Sequence, residues 1–293
     1  MDAKYESALA HATALEWQLP WGKLRGLSWG KPSDTPIVAL HGWLDNANSF
    51  LPLASEWQAD EQQLIAIDWP GHGHSDHRPA GAHYHFVDYV YDLWWLIKQQ
   101  GWQPYLLGHS MGGFIAQVTT ALLPKAVQRL WTVEAFGLLI AEERDALKQL
   151  SNSFRHRQQF EGASARQPAS YAQAVAARAK KADFAESLVE LLVQRGLQQQ
   201  GDKIRWRADP RVRVHSPYRM KAEDVETILP GIQCPMTVIL GDSGFTELQQ
   251  ALSRWRGLVP QLQQLSWGGG HHVHMQQPQK LAAQLLADIN ADD

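Results

Sequence analysis

Ser110 stands between Gly108 and Gly112 in the run "PYLLGHSMGGFIAQV", after a short apolar stretch and ahead of a helical pattern. A serine hydroxyl attacks a carbonyl only when it is held beside a base, and a strained strand-to-helix turn with glycines at ±2 presents it for that purpose. Such a turn aims Oγ into the site, and the amide of Met111, at a helix N-terminus, faces the same space as an oxyanion donor. A triad built on this elbow runs in chain order serine, acid, histidine, so the base is sought in "SWGGGHHVHMQQP". His271 directly follows the glycine run 268–270, which lets the loop fold back. His274 reads as a supporting or packing residue and His272 as a surface one. Two carboxylates compete for the third place. Glu134 ends the apolar run "LWTVEAFG", where burial without a partner is costly and a histidine would serve. Asp242 ends "TVILGDSGF" one strand later, and "DSG" could instead use it to cap a turn. A second oxyanion donor is expected in "HGWLDNANSF", where Gly42 lets the backbone turn close to a substrate and the Trp43 amide faces it.

A different chemistry is suggested by "DWPGHGHSDHRP", with His72, His74, Asp76 and His77 inside six residues. That is how metallo-β-lactamase-like hydrolases present zinc ligands. Such a site also needs a later His and Asp on other loops of an αββα sandwich, and it would leave the elbow at Ser110 without a purpose. The stretch therefore reads as a tight loop that imitates a metal site, with adventitious metal binding as the most it implies. No metal and no cofactor are expected.

The elements that must position these residues are legible as alternating patterns. "TALEWQL" and "KLRGLSW" read as an antiparallel opening pair. Short apolar runs at 36–42, 62–71, 104–110, 128–135, 234–242 and 261–267 suit strands buried on both faces of a parallel sheet. Between them "FVDYVYDLWWLIKQQG" carries Val87, Val90, Tyr91 and Trp94 at helical spacing with Gly101 as a stop, and "GFIAQVTTALLP" repeats the spacing. Strand–helix alternation predicts a doubly wound α/β sheet with right-handed crossovers. From about Gly137 to Pro230 three helix-like stretches, near 141–160, 170–182 and 184–200, follow with no convincing strand among them. They read as a helical cap over the carboxyl edge of the sheet. The division is a core of 1–136 with 231–293, and a cap of 137–230. Asp209-Pro210-Arg211 could order the cap's return to the sheet or be a plain turn.

Composition narrows the function classes. A chain of 293 residues is long enough for one large α/β domain with an insertion. A net charge of -3 without a basic run leaves no electrostatic footprint for nucleic acid. No stretch reaches the roughly 20 apolar residues of a membrane helix, and the N-terminus lacks a basic start and apolar core. The single cysteine, Cys234, rules out an intrachain disulfide and Cys-based zinc sites. Together these imply a cytoplasmic protein. The 13 tryptophans are many for this length and are expected mainly as core and surface filler.

His41-Gly42-Trp43, Asp68-x-Pro70-Gly71-x-Gly73-x-Ser75, Gly108-His109-Ser110-Met111-Gly112-Gly113 and Gly270-His271 through Pro278 together resemble the α/β-hydrolase superfamily across nearly the whole chain. Within it "HGWLDNANSF", "GHGHSDH" and "GHHVHMQQP" look most like the serine hydrolase-like proteins, a branch near the epoxide hydrolases and haloalkane dehalogenases. The resemblance implies an α/β-hydrolase fold, with a mostly parallel eight-stranded sheet and a helical cap inserted after the sixth strand. It also implies a Ser-His-acid triad, with Ser110 as nucleophile, His271 as base, and Trp43 and Met111 as oxyanion donors. Many members carry the acid as Gly-x-x-Asp after strand seven, a slot that here, counted from Gly241, is Gly244. Some haloalkane dehalogenases use a carboxylate after strand six, where Glu134 stands, so the resemblance favours Glu134 and leaves Asp242 open. Dehalogenase and epoxide hydrolase chemistry needs an aspartate where this chain has Ser110.

The expected activity is hydrolysis of a small-molecule acyl substrate, a carboxylic ester first, with water releasing the acyl-enzyme. The same triad would also serve a thioester, lactone, amide or C–C bond, or cofactor-free perhydrolysis. A non-catalytic relative that binds a ligand under the cap is the rival from another class. Loop position suggests Phe114, Phe136, Leu138 and Trp206 as pocket-lining side chains.

Overall fold

In the computed structural model, which describes residues 2–57, 62–138, 140, 145–160, 167–201 and 203–292, the chain enters through α1 (Ala3–Ala10) and a hairpin of β1 (Thr13–Leu19) and β2 (Gly22–Trp29). It continues through β3 (Ile37–Leu40), α2 (Leu51–Ser55), β4 (Leu64–Asp68), α3 (Phe86–Gln100), β5 (Tyr105–His109), α4 (Met111–Leu122) and β6 (Arg129–Val133). A long excursion follows: α5 (Ala146–Phe160), α6 (Tyr171–Ala179), α7 (Glu186–Gly196), the hairpin β7 (Leu197–Gln200) and β8 (Lys203–Trp206), then α8 (Ala222–Ile228). The chain returns through β9 (Met236–Gly241), α9 (Glu247–Trp255), β10 (Leu262–Trp267), α10 (Val273–Gln276) and α11 (Pro278–Asp292).

Eight strands form one sheet in the order β1-β2-β4-β3-β5-β6-β9-β10. Only the β1–β2 and β2–β4 pairs are antiparallel; the rest of the sheet is parallel. The apolar runs are continuous because both faces are covered, and alternate residues of β3 show it. Val38 and Leu40 pack with α3, α4, α8 and α9, whereas Ile37 and Ala39 pack with α1, α2, α7 and α11. Buried Trp17, Trp29, Trp57, Trp69, Trp131, Trp255 and Trp267 fill these cores rather than line one aromatic pocket.

Two local expectations need correction. The stripe of α3 that meets the sheet is Tyr89, Val90, Leu93, Leu96 and Ile97, while Val87 and Tyr91 are exposed. Ten of the fifteen positions of that helix are apolar or aromatic, so periodicity admits two stripes, and the tertiary neighbours choose. The helix expected over 184–200 ends at Gly196, and Leu197–Gln200 pairs antiparallel with Lys203–Trp206. Gly201, with φ of 59°, supplies the left-handed turn residue, a signal masked by a glutamine run with good helix propensity. Helix α5 starts at Ala146, and residues 141–144 of the expected helix lie outside the described residues. Among the described residues no helix is long and apolar enough to cross a membrane.

Candidate active site

The elbow is strained where the chemistry needs it. Ser110 has φ of 50° and ψ of -119°, donates its backbone N–H to Val133 (2.9 Å) and opens α4. The first turn of α4 packs so closely against the end of β3 that a Cβ at Gly112 would collide with the Leu40 carbonyl oxygen. Parallel pairing sets Leu40 beside Gly108, so the chain leaving β3 as His41-Gly42-Trp43 passes directly over Ser110. A Cβ on Gly42 would lie 2.9 Å from His109 Nδ1 and 3.3 Å from Ser110 Cβ.

Glu134 and His271 lie beyond the ends of β6 and β10, two strands that β9 separates in the sheet. Glu134, buried and at φ of 52°, follows β6, and its N–H bonds to Ile239 of β9 (2.9 Å). Its carboxylate accepts N–H groups from Gly241 (2.8 Å) and Phe245 (3.0 Å) and lies 3.2 Å from His271 Nδ1. A carboxylate only accepts, so His271 Nδ1 carries a proton, and in the neutral ring Nε2 is the lone pair. A Cβ at Gly244 would collide with the Glu134 carboxylate. The space of an acid at position 244 is therefore filled by one from β6. Asp242 is exposed, and among the described residues no hydrogen bond or ion pair joins its carboxylate to His271. The structure brings His271 to Glu134 and not to Asp242. Among the described residues no hydrogen bond joins Ser110 Oγ to the His271 ring, a contact that often tightens only around substrate.

The loop after β3 is held by two buried neutral histidines. His41 Nδ1 donates to the Gly42 carbonyl (2.7 Å), and its Nε2 accepts from Trp69 N–H (3.0 Å). Because the peptide is trans and planar, fixing the Gly42 carbonyl also fixes the Trp43 N–H on the opposite side. His72 donates from Nδ1 to Pro70 (3.1 Å) and accepts from Leu44 N–H through Nε2 (3.2 Å). Burial holds His41 below the usual histidine range and pushes His72 down to about 3, its neighbour His41 adding to the effect. The Trp43 side chain is half exposed and reaches the Val212 carbonyl through its indole N–H (3.0 Å).

The histidines of the 72–77 stretch do not converge. His72 points at Leu44, His74 is exposed, and His77 Nε2 meets the Arg207 carbonyl (2.7 Å). The acids of the loop have structural partners. Asp68 is fully buried against Arg195 of α7 (2.7 Å) and accepts N–H groups from Ala47 and His74, each at 2.8 Å. Asp76 binds Arg25 of β2 (2.7 Å). Asp209 bonds to Tyr84 (2.7 Å) and Arg211, and Arg211 in turn grips the carbonyls of Arg78, Pro79 and Ala82. The 209–211 segment thus ties the end of the excursion to the histidine loop.

A second histidine cluster surrounds His271. The His109 ring lies 4.9, 4.7 and 4.1 Å from those of His271, His272 and His274. His109 donates to the His271 carbonyl (2.9 Å), and Asp183 accepts the His271 N–H (2.5 Å). His272 is not a surface residue: it stands between Asp45 (3.2 Å) and Asp183 (3.4 Å). Burial opposes its charge, but the two carboxylates outweigh burial and push its pKa up to about 9. Arg178 of α6 pairs with the other oxygen of Asp45 and with the Leu44 carbonyl (3.0 Å). His274 is buried and bonds to Ser49 (2.8 Å), the supporting place expected of it. Burial drives His109 down to about 4 and His274 well below its usual range. Sequence reasoning missed Asp45, Arg178, Asp183 and the role of His109. Asp45 and His109 sat inside quoted motifs, but Arg178 and Asp183 belong to a distant helix pair with no local signature.

Phe114, Phe136 and Leu138 are buried in the core cluster on the α3–α4 side of the sheet. Trp206 packs with Ala174, Val175, Val189, Val193 and Leu197 inside the excursion.

Residues 35–278 match the family model described as the alpha/beta hydrolase fold. The chain belongs to the α/β hydrolase fold family, and several proteins it resembles carry the name serine hydrolase-like protein. A serine hydrolase-like protein of Danio rerio is 26% identical over 289 residues, covering 93% of this chain and 86% of that protein. The crystal structure of a hypothetical protein from Pseudomonas aeruginosa PAO1 superposes with a TM-score of 0.85 at 29% identity, covering 95% of this chain and 99% of that one. A thioesterase domain from the curacin biosynthetic pathway gives a TM-score of 0.80 at 25% identity, covering 94% and 99%.

Proposed function

We propose that the chain is a carboxylic ester hydrolase acting on small acyl compounds, with Ser110 as nucleophile, His271 as general base and Glu134 as its orienting acid. The observation that carries this reading is the His271–Glu134 hydrogen bond of 3.2 Å, which turns Nδ1 to the acid and makes Nε2 the lone pair of the neutral ring beside a strained Ser110 elbow. Ser110 Oγ adds to the carbonyl as His271 takes its proton. The Met111 and Trp43 amides hold the oxyanion, and His271 returns the proton to the leaving alkoxide. Water activated by the same ring then cleaves the acyl-enzyme. Residues 137–230 act as a cap over this site, anchored on the core of 1–136 and 231–293. Neither a metal nor a cofactor takes part in these steps.

Hydrolysis of a short-chain p-nitrophenyl ester by wild type and Ser110→Ala tests the reading. Turnover that disappears in the variant supports it; equal turnover in both contradicts it. A thioester is the second reading, favoured by the likeness to the thioesterase domain. A larger kcat/KM on an acyl thioester than on the oxygen ester of the same acyl group would select it.

A further inference from the structure

Three ligand-type residues converge beside the Ser110–His271–Glu134 set without belonging to it. Asp45, His109 and His272 each offer one atom, all within 4.8 Å of one another. His109 Nε2 meets the His271 carbonyl at 2.9 Å, and a carbonyl only accepts, so the ring proton is on Nε2 and Nδ1 is a lone pair. His109 is 1% exposed, and this Nδ1 has no hydrogen-bond partner. It faces Asp45 Oδ2 at 3.6 Å, acceptor against acceptor, so the partners of Asp45 leave the buried His109 lone pair unsatisfied. His272 completes the triangle, with Nε2 3.2 Å from Asp45 Oδ2 and Nδ1 3.4 Å from Asp183 Oδ1. The other nitrogen of His109 is hydrogen-bonded to a carbonyl, as in metal-ligating histidines, and that of His272 lies within ion-pair range of a carboxylate. Two of the three edges match a tetrahedral ion, and the edge between the imidazoles lies within 4.8 Å. Bonds of about 2.0–2.1 Å to a tetrahedral ion put neighbouring ligand atoms roughly 3.3–3.4 Å apart, and the two Asp45 edges measure 3.6 and 3.2 Å.

We infer that Asp45, His109 and His272 form a binding site for one divalent transition-metal ion, with Zn²⁺ suited to two imidazoles and a carboxylate. The ion replaces the proton shared between His272 and Asp45, while Arg178 stays on the other carboxylate oxygen. Once bound, it ties together the loop after β3, the residue before Ser110 and the loop of His271, with Asp183 of the excursion supporting His272. The inference does not depend on what Ser110 does.

Calorimetric titration of the full chain with Zn²⁺ near neutral pH tests it, alongside Asp45→Asn, His272→Gln, Asp183→Asn and the double variant His74→Ala/His77→Ala. The expected result is one ion per chain in the wild type and in the double variant. Asp183→Asn should weaken binding about 10–100-fold, and loss of a direct ligand should weaken it further. Absence of binding in the wild type, undiminished binding in both Asp45→Asn and His272→Gln, or loss confined to the double variant would each overturn the site. Anomalous scattering from Zn²⁺-soaked wild-type crystals gives a readout that no misfolded variant can confuse. A peak within bonding distance of all three atoms supports the site, and peaks only elsewhere refute it.

Discussion

The molecule carries two histidine-rich loops, 72–77 and 271–274, that look alike as text and differ in what surrounds them. In the first, the rings diverge to a backbone amide, to solvent and to a carbonyl, and the acids nearby are bound by Arg195 and Arg25. In the second, the rings gather around His109 and face Glu134, Asp45 and Asp183. Local density of a reactive residue type is therefore a weak guide. What makes a site is the convergence of lone pairs and counter-charges from separate elements, and the sheet's strand ends supply that at the second loop alone.

The comparison can be broken at several points, beginning with the largest expected effect. His271→Ala should lower kcat on the order of 10⁴-fold with ester substrates, as loss of a triad member does. A change under about tenfold would make the two loops equivalent. Glu134→Gln should cost about 10³-fold, because the ring loses its tautomer and orientation. Asp242→Asn should stay within about twofold, and steady-state kinetics on the pair decides between the acids. Within the first loop the expected damage is to stability instead. Arg195→Ala leaves Asp68 buried without its counter-ion, and urea unfolding should show a loss of about 3 kcal/mol or more. A loss below about 1 kcal/mol would mean that the pair is not holding the loop.

A smaller effect concerns pH. His72 has its pKa near 3 in the folded chain, against about 6.5 when unfolded. Between these values the unfolded chain holds the extra proton, so this histidine's stabilising contribution is complete above pH ~6.5 and is lost as pH falls. The slope approaches 1.4 kcal/mol per pH unit, or roughly 2 kcal/mol between pH 6.5 and 5. The faces around His72 carry His41, Tyr89, Asp68 and Asp45. Unfolding titrations of His72→Gln should show a shallower acid-side decline than wild type, and an identical decline would remove His72 from the account. Smallest of all, His77→Ala should leave kcat/KM within about twofold, since its ring is half exposed and meets the Arg207 carbonyl and the Asp209 edge.

Much of this was legible in the sequence, and the pattern of what was not is physical. The strands of the central sheet were readable because burial on both faces writes continuous apolar runs. Ser110 and Gly112 were readable because the elbow imposes steric demands on its own neighbours. The meeting of Glu134 with His271 depended on the order β6-β9-β10, which no local signal encodes; Gly244 was the one trace, a slot emptied because another carboxylate fills it. The hairpin of β7 and β8 was hidden by helix-favouring glutamines. His272 was misread as a surface residue because its partners, Asp45 and Asp183, are 227 and 89 positions away in sequence.

The most direct test of the central claim is covalent. Wild-type chain treated with a fluorophosphonate probe and digested for mass spectrometry should carry the adduct on the peptide containing Ser110, with labelling slowed strongly in His271→Ala. An adduct absent from Ser110, or formed at the same rate without His271, would contradict a histidine-activated serine at this elbow.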